Sequence, residues 1–558
     1  MPNRIFPLPK LLIQITSTLG EMMKKILMLT ILIILVSSAQ AAWQWAKSFG
    51  GDSMERVWEM VADASGNLFL TGEFVDTLVI DGNMYPGAGL TDTFLIKLDS
   101  AGNLLWANTL ISTNDNAGLG IGVDAAGNSY VAGYFVDSLT CQEQSVTGNG
   151  LWDVYLAKFN PSGTLLWLKS FGGPLNDIAH GMAVSPEGRV FLSGWFADSI
   201  TFEDNSVLSS YGGSDVLVAS FDTNGNFLWA RHAGTPGVEY GYKIACDNAN
   251  SCYVTGSAGP GSDFSGTLLS GSGMFAAKYD PSGNLLWLAP SQGAMVISIA
   301  VQPAAVEGQT GMVCGRVVGS GSIGSFGFDS LNGSDDAYWA EFDAITGAWQ
   351  SFDWGGGTAS DKGRDCHYSQ FSPLPLVAAT FEENAVFGLQ NLSSLGDCDL
   401  VLGYGDSQFI TAGGANLEIG HAICGLPNGS FAVAGWHFGF CRFGSQMIDS
   451  GNDANQNGFV ALYDPNTAAE DVTQALPSLK AWPNPFRTET RISSEQLSGS
   501  ATVFNLKGQR VRVLELLSSE RGMSVFSWDG NDLEGKRCQA GIYLIRQGKS
   551  SHKVMLLN

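Results

Sequence analysis

Two columns of side chains recur along this chain in types and spacings that could do chemistry. Glu55, Asn116, Asp177, Glu239, Asp361 and Glu418 occupy equivalent places in a long repeat, and Ala294 breaks the column in the fifth copy. Three residues further on stand Trp58, Leu119, His180, Tyr242, Ile297, Arg364 and His421. A side chain that nearly every copy carries serves something every copy needs. Here that is a carboxylate accepting backbone N–H bonds from the loop that leads into a strand. A position free to differ faces something without the symmetry of the repeat, such as a ligand at a channel mouth. Trp58, His180, Tyr242, Arg364 and His421 are therefore the candidate ligand-binding rim at one end of the molecule. Aromatic faces beside acids and amide-bearing loops suit a glycan, a peptide or a protein ligand. Acids gathered at a mouth can also bind Ca²⁺, although no D-x-D-x-D-G loop is present. No other cofactor is expected.

Enzyme signatures are missing. There is no G-x-S-x-G, no H-E-x-x-H and no P-loop, and the six histidines are scattered. The leading expectation is a binding or adhesion module. The alternatives are an extracellular carbohydrate-active enzyme (a lyase or hydrolase) with its acids on the rim, or a purely structural surface protein. An enzyme of that kind needs two carboxylates about 5–9.5 Å apart in one cleft.

The elements that must hold these columns are read from a repeated phrase. Lys97-Leu-Asp99-Ser-Ala-Gly102-Asn103-Leu-Leu-Trp106 returns as Lys158 to Trp167, as Phe221 to Trp229 and as Lys278 to Trp287. Each copy reads as a strand, a tight turn with Gly where positive φ is needed, and a second strand carrying Trp. Trp45, Trp106, Trp167, Trp229, Trp287 and Trp349 recur about every 60 residues, and the spacing continues weakly past Trp349. Seven repeats fit between about 45 and 471. In the first, strands are expected at 57–62, 68–74, 93–98 and 104–108, with a short extra stretch at 78–80. Four strands are too few to bury a core alone, so each sheet must pack on its neighbours, as in a β-propeller. The tryptophans read as packing between neighbours. The chain enters at Trp43–Phe49 with a strand matching the last of a repeat and leaves at Phe459–Tyr463 with one matching the third. The expected fold is all-β, a seven-bladed propeller closed by the N-terminal strand, followed by a small Ig-like β-sandwich.

Composition sets the frame. The 558 residues carry a net charge of −24, with only 15% charged side chains and 70 glycines. The body is acidic and the last segment mildly basic, which argues against nucleic acid as a partner. Met23-Lys24-Lys25, the apolar run Ile26 to Val36 and the small residues before Ala41 form an export signal, with cleavage between Ala41 and Ala42. That run is too short to cross a bilayer, so no membrane span is expected in the mature chain. Residues 1–41 then comprise an upstream extension plus the signal, 42–468 the propeller, 469–478 a linker and 479–558 the small domain. Nine cysteines show no C-x-x-C pair. Cys246 and Cys252 flank a turn and stand where two strands could be bridged.

The run Ala62-Asp63-Ala-Ser-Gly66-Asn67-Leu-Phe-Leu-Thr-Gly72, with Asp92-Thr-Phe94-Leu-Ile-Lys97-Leu-Asp99-Ser-Ala-Gly102, resembles the bacterial seven-bladed β-propeller (SBBP-type) repeat family across repeats one to four. That resemblance implies a structural or binding class and no single reaction. The final segment resembles a type A sorting domain of the type IX secretion system. Its carriers are Trp482-Pro483-Asn484-Pro485-Phe486, Gly508 in a hairpin turn, Trp528-Asp529-Gly530, Gly541-Ile-Tyr543 and Lys553-Val-Met-Leu. This resemblance implies an encounter with the type IX machinery through 479–558 and a secreted or outer-surface location in a Gram-negative-type bacterium.

Overall fold

The computed structural model describes residues 42–303, 309–329, 335–368, 375–404, 408–465, 480–482, 487–494, 500–505, 510–520, 523–547 and 550–557. The export signal and Ala41 therefore lie outside the described residues, and Ala42 opens the first strand.

The body is all-β and antiparallel. Its strands pair into consecutive four-stranded units that follow the repeat. Unit one comprises Glu55–Ala62, Leu68–Phe74, Asp92–Leu98 and Leu104–Leu110. The second begins at Asn116–Val123, the third at Asp177–Val184 and the fourth at Tyr240–Cys246. One long strand, Leu285–Val301, ends the fourth unit and begins the fifth. The sixth begins at Lys362–Tyr368 and the seventh at Glu418–Gly425. The seventh takes its outer strand from the other end of the chain. Ala42–Phe49 pairs with Gln456–Asp464, bringing Trp43 opposite Tyr463 and Phe49 opposite Gly458. The first strands of consecutive units touch one another in a closed cycle, Glu418–Gly425 meeting Glu55–Ala62. They are the innermost strands of a β-propeller-like array.

No unit buries a core by itself. One apolar cluster joins Leu70, Phe74 and Ile96 of unit one to Ala422, Ala432 and Val460 of unit seven. The next joins Phe69 and Leu95 to Ile121, Val131 and Tyr155 of unit two. The repeated tryptophans belong to these seams. The ring of Trp106 lies against Gly163 in the turn of the next unit, and Trp106 Nε1 donates to Pro161 O at 3.1 Å. Trp45, Trp229 and Trp287 repeat the arrangement on Gly102, Gly283 and Gly347. Each glycine meets two demands at once. Its φ, near +80° at Gly163 and Gly283, is costly for a side-chain-bearing residue, and a Cβ there would sit 2.7–2.8 Å from the indole.

The extra stretch expected at 78–80 is one arm of a hairpin, Thr77–Ile80 with Asn83–Pro86. Its counterparts reach back to the preceding unit. Phe264 pairs with Ala233, Phe387 with Gly355 and Arg442 with Gly413, and Gly50 N donates to Val79 O at 3.0 Å. The seams are thus tied by backbone hydrogen bonds as well as by apolar packing. Cys246 and Cys252 lie directly opposite across a strand pair, yet both are free thiols, as are the other seven cysteines.

The C-terminal segment forms two further four-stranded sheets, one containing Thr490–Ser494 and Met523–Trp528, the other Ala501–Asn505 and Gly541–Gln547. Ile492, Val503, Phe526, Trp528, Tyr543 and Ile545 share its core. Trp528 is fully buried and donates from Nε1 to Asn531 O, and its ring meets Tyr543 edge-on at 4.9 Å. Of the residues carrying the sorting resemblance, Pro483, Asn484, Pro485 and Gly508 lie outside the described residues, and of Lys553 only the strand is described.

Candidate functional site

Every first strand of the body is bulged at the same place. The register slips between Val57 and Glu59, Gly118 and Gly120, Ala179 and Gly181, Gly241 and Ile244, Val296 and Ser298, Gly363 and Asp365, and Gly420 and Ala422. The residues skipped include Trp58, Leu119, His180, Tyr242, Ile297, Arg364 and His421, the whole of the variable column. A bulge re-aims a side chain and bends its strand. The sequence placed these residues on a rim at the channel mouth. In the structure they sit on the innermost strands, three residues in from the loop end and about 10 Å along the strand. His421 is buried, and Trp58, His180, Tyr242 and Arg364 are half-buried.

Four of the five candidates meet in pairs. Trp58 and His421, from units one and seven, meet edge-on at 4.8 Å, and Trp436 closes on both at 5.3 and 5.4 Å. His421 Nδ1 donates to Trp58 O at 3.1 Å. His180 and Tyr242, from units three and four, are 5.5 Å apart, with Tyr240 stacked beyond. Arg364 joins neither pair; its Nε donates to Thr380 Oγ1 at 3.1 Å. Burial pushes the His421 imidazole well below its usual range, and the positive charges of Lys243 and Arg364 add to that push. This ring is neutral at pH 7. Burial also lowers His180, whose Nδ1 has no partner among the described residues.

The uniform column does what the sequence suggested. Glu55, Asp177, Asp361 and Glu418 are fully buried, as is Asn116, and Glu239 is nearly so. Each acid accepts a backbone N–H from four residues earlier: Gly51, Gly173, Thr235, Gly357 and Gly414, at 2.6–2.9 Å. Asn116 accepts from Thr93 N instead and donates from Nδ2 to Asp92 at 2.8 Å. Burial raises the Glu55 and Asp177 carboxyls to about 8 and Asp361 to about 7. These side chains hold the loops at the unit junctions.

Sequence reading missed the position next to the bulge. That column runs Glu59, Gly120, Gly181, Lys243, Ser298, Asp365 and Ala422. It is small in four units and charged in three. Lys243 pairs with Glu59, and Asp365 accepts from Ser298 Oγ at 2.6 Å and from Ile423 N at 2.8 Å. The signal was present one residue beyond the column that was aligned. Among the described residues no three His, Cys, Asp or Glu side chains gather into a metal site, and no helix is long and apolar enough to cross a membrane.

Comparison with known proteins adds the following. Residues 484–550 match the FlgD Ig-like domain family. An uncharacterized WD repeat-containing protein, L264, of Acanthamoeba polyphaga mimivirus is 24% identical over 250 residues, 38% of this chain and 18% of that protein. The regulatory protein FlaEY of Caulobacter vibrioides is 28% identical over 181 residues, 31% of this chain and 19% of that protein. The chain therefore spans under a fifth of the length of these curated relatives. Among solved structures, quinohemoprotein alcohol dehydrogenase from Comamonas testosteroni overlaps 90% of this chain and 78% of its own, at 11% identity and a TM-score of 0.34. Sqt1 from Chaetomium thermophilum overlaps 77% and 99%, at 12% identity and a TM-score of 0.33. Overlaps that loose transfer neither fold nor activity.

Proposed function

We propose that this chain is an exported binding module. In this reading 42–468 is a seven-bladed β-propeller closed by its N-terminal strand, 469–478 a linker, and 479–558 a sorting domain. The inner end of the channel receives an extracellular glycan, peptide or protein. The carrying observation is a contrast within one strand. The buried acid at its start barely changes from unit to unit, whereas the bulged residue three places on is Trp, His, Tyr, Arg or His in five units. Packing alone asks for the same residue at every bulge. A ligand without rotational symmetry asks for different ones. The test is a glycan and peptide array probed with the purified 42–470 fragment, with and without calcium. Binding is expected, with Trp58→Ala or Arg364→Ala weakening it at least about tenfold at a temperature where circular dichroism shows each variant still folded. Binding indifferent to both substitutions would overturn the assignment of the site.

The address rests on the C-terminal domain. The Ig-like match over 484–550 and the partial relationship to FlaEY favour a surface-associated or extracellular protein. The order of Trp482, Trp528, Gly541, Tyr543 and Lys553 favours type IX sorting within that class. Cells expressing a chain that lacks 479–558 should retain the body behind the outer membrane. Surface delivery unchanged by that deletion would contradict the proposal.

A further inference from the structure

At the seams a residue on one unit's third strand comes close to a residue at the entry to the next unit's first strand, and what meets there differs around the ring. Between units one and two Asp92 meets the amide of Asn116. Between three and four, Asp215 is satisfied by His232 Nδ1 at 2.8 Å and by Tyr211 N, while Glu239 takes both N and Oγ1 of Thr235. Between four and five Gly273 meets Ala294, no acid stands there, and the nearby Ser291 hydroxyl donates to Met274 O.

Acids also face each other between units five and six, Asp336 and Asp361, where both Asp361 oxygens accept backbone N–H groups. At two further seams the facing acids are less well supplied: Asp153 with Asp177, and Asp399 with Glu418. All four are at most 2% exposed. Each spends one oxygen on loop N–H groups. Asp153 Oδ2 accepts from Asn149 and Gly150, Asp177 Oδ2 from Gly173, Asp399 Oδ2 from Leu395, and Glu418 Oε2 from Gly414. The remaining oxygens, Asp153 Oδ1, Asp177 Oδ1, Asp399 Oδ1 and Glu418 Oε1, are buried and meet no donor at good hydrogen-bond geometry among the described residues, the N–H groups of Ala197 and Gly414 lying nearest to Asp177 and Asp399. Asp399 and Glu418 stand within hydrogen-bonding reach of each other. Two facing acceptors cannot bond unless a proton lies between them, and two bare carboxylates there would repel in a medium that screens poorly.

The other groups nearby do not relieve them. Asp198 faces Asp177, Asp397 faces Glu418, and the Cys441 thiol near Asp399 and Glu418 is kept neutral by burial. None of these brings positive charge. These further acids do not gather with either pair into a group of three that could hold a metal among the described residues, so a cation would have too few oxygen ligands.

We propose that the Asp153–Asp177 and Asp399–Glu418 pairs are proton-binding sites, each holding one proton at neutral pH, which at Asp399–Glu418 lies in an O–H···O bond that ties neighbouring units together. Deprotonation in alkali removes that tie. Burial raises Asp177 to about 8, with Asp153 adding to it, and Glu418 well above the usual carboxylate range, with Asp399 adding to it; burial raises Asp399 to about 7 against the opposing pull of its hydrogen bond with Glu418. The folded chain thus holds protons that the unfolded chain gives up. Stability from the pairs is complete below about pH 4 and is lost as pH rises through 7–8.

The test uses the full chain. Its thermal midpoint is measured between pH 5.5 and 9, and the carboxylic-acid C=O band is sought by infrared difference spectroscopy at pH 7. The midpoint should fall by about 5 °C on going from pH 6.5 to 9. The double variant Asp177→Asn/Asp399→Asn, which supplies amide donors as Asn116 does, should flatten that fall. The infrared band should be present in the wild type and diminished in the variant. A wild-type midpoint flat across this range, an equal fall in the variant, or no protonated-acid band at pH 7 would each overturn the proposal. So would a rise in the wild-type midpoint on adding calcium chloride at pH 8, which would assign the sites to a cation.

Discussion

At the scale of single residues, the repeat is held by side chains that serve two units at once. Gly283 is the clearest case, since its turn needs φ of +80° and the ring of Trp229 needs the space of its missing Cβ. Gly82 has a similar φ of +76° with nothing within 4 Å of its Cβ position. Gly82→Ala should therefore cost about 1 kcal/mol in a denaturant titration, and Gly283→Ala about 2–4 kcal/mol. Equal costs would remove the Trp–Gly contact from the account. A second prediction concerns His437, which is fully buried and shares a 2.8 Å hydrogen bond with Ser48 of the N-terminal strand. Burial depresses it from 6.5 to about 4. The unfolded chain takes up this proton first, so the stability is present above pH 6.5 and is lost as pH falls towards 4. His437→Gln should remove about 3 kcal/mol of acid destabilisation relative to the wild type, read as the difference between their pH–stability profiles. The loop-holding role of Glu55 and its equivalents was legible because an acid or its amide recurred at the same place in six of the seven units. Glu59, Lys243 and Asp365 were not legible, because three charges among glycine, serine and alanine make no pattern until the bulge gives their position a meaning.

At the scale of elements, the strand that joins the two ends of the body matters most. Ala42–Phe49 closes unit seven and buries Trp43 and Phe49 in two different seams. Trp43→Ala and Phe49→Ala should each cost about 3–5 kcal/mol. A chain beginning at residue 51 should aggregate through its exposed edge and be rescued by a peptide spanning 42–50, followed by light scattering. A soluble, cooperatively folding truncation would contradict that role. The strand's partner was readable from the phase of the repeat alone. The outer hairpins were half readable, since Leu78 and Ile80 are buried whereas Asn83–Pro86 is short and exposed. The break at Ala294 also has its reason. Leu285–Val301 runs on without a loop between units four and five, so no N–H group waits there for a carboxylate.

For the whole molecule, the account reduces to a ring whose parts are unstable alone and whose seams carry the stabilising contacts. Apolar clusters, tryptophan rings and hairpin bonds all lie between units, and in the proposed reading the bulges present a set of unlike side chains to a ligand. The period of about 60 residues made this architecture legible. The places where the channel residues sit were not, since a bulge leaves no mark in the sequence beyond a column that refuses to repeat. Amide hydrogen exchange on the full chain, read by mass spectrometry, tests closure most directly. Segments spanning Trp43–Phe49 and Phe459–Tyr463 should exchange together and only through global unfolding. Rapid exchange across Trp43–Phe49 while Phe459–Tyr463 stays protected would mean the ring is open, and the channel with it.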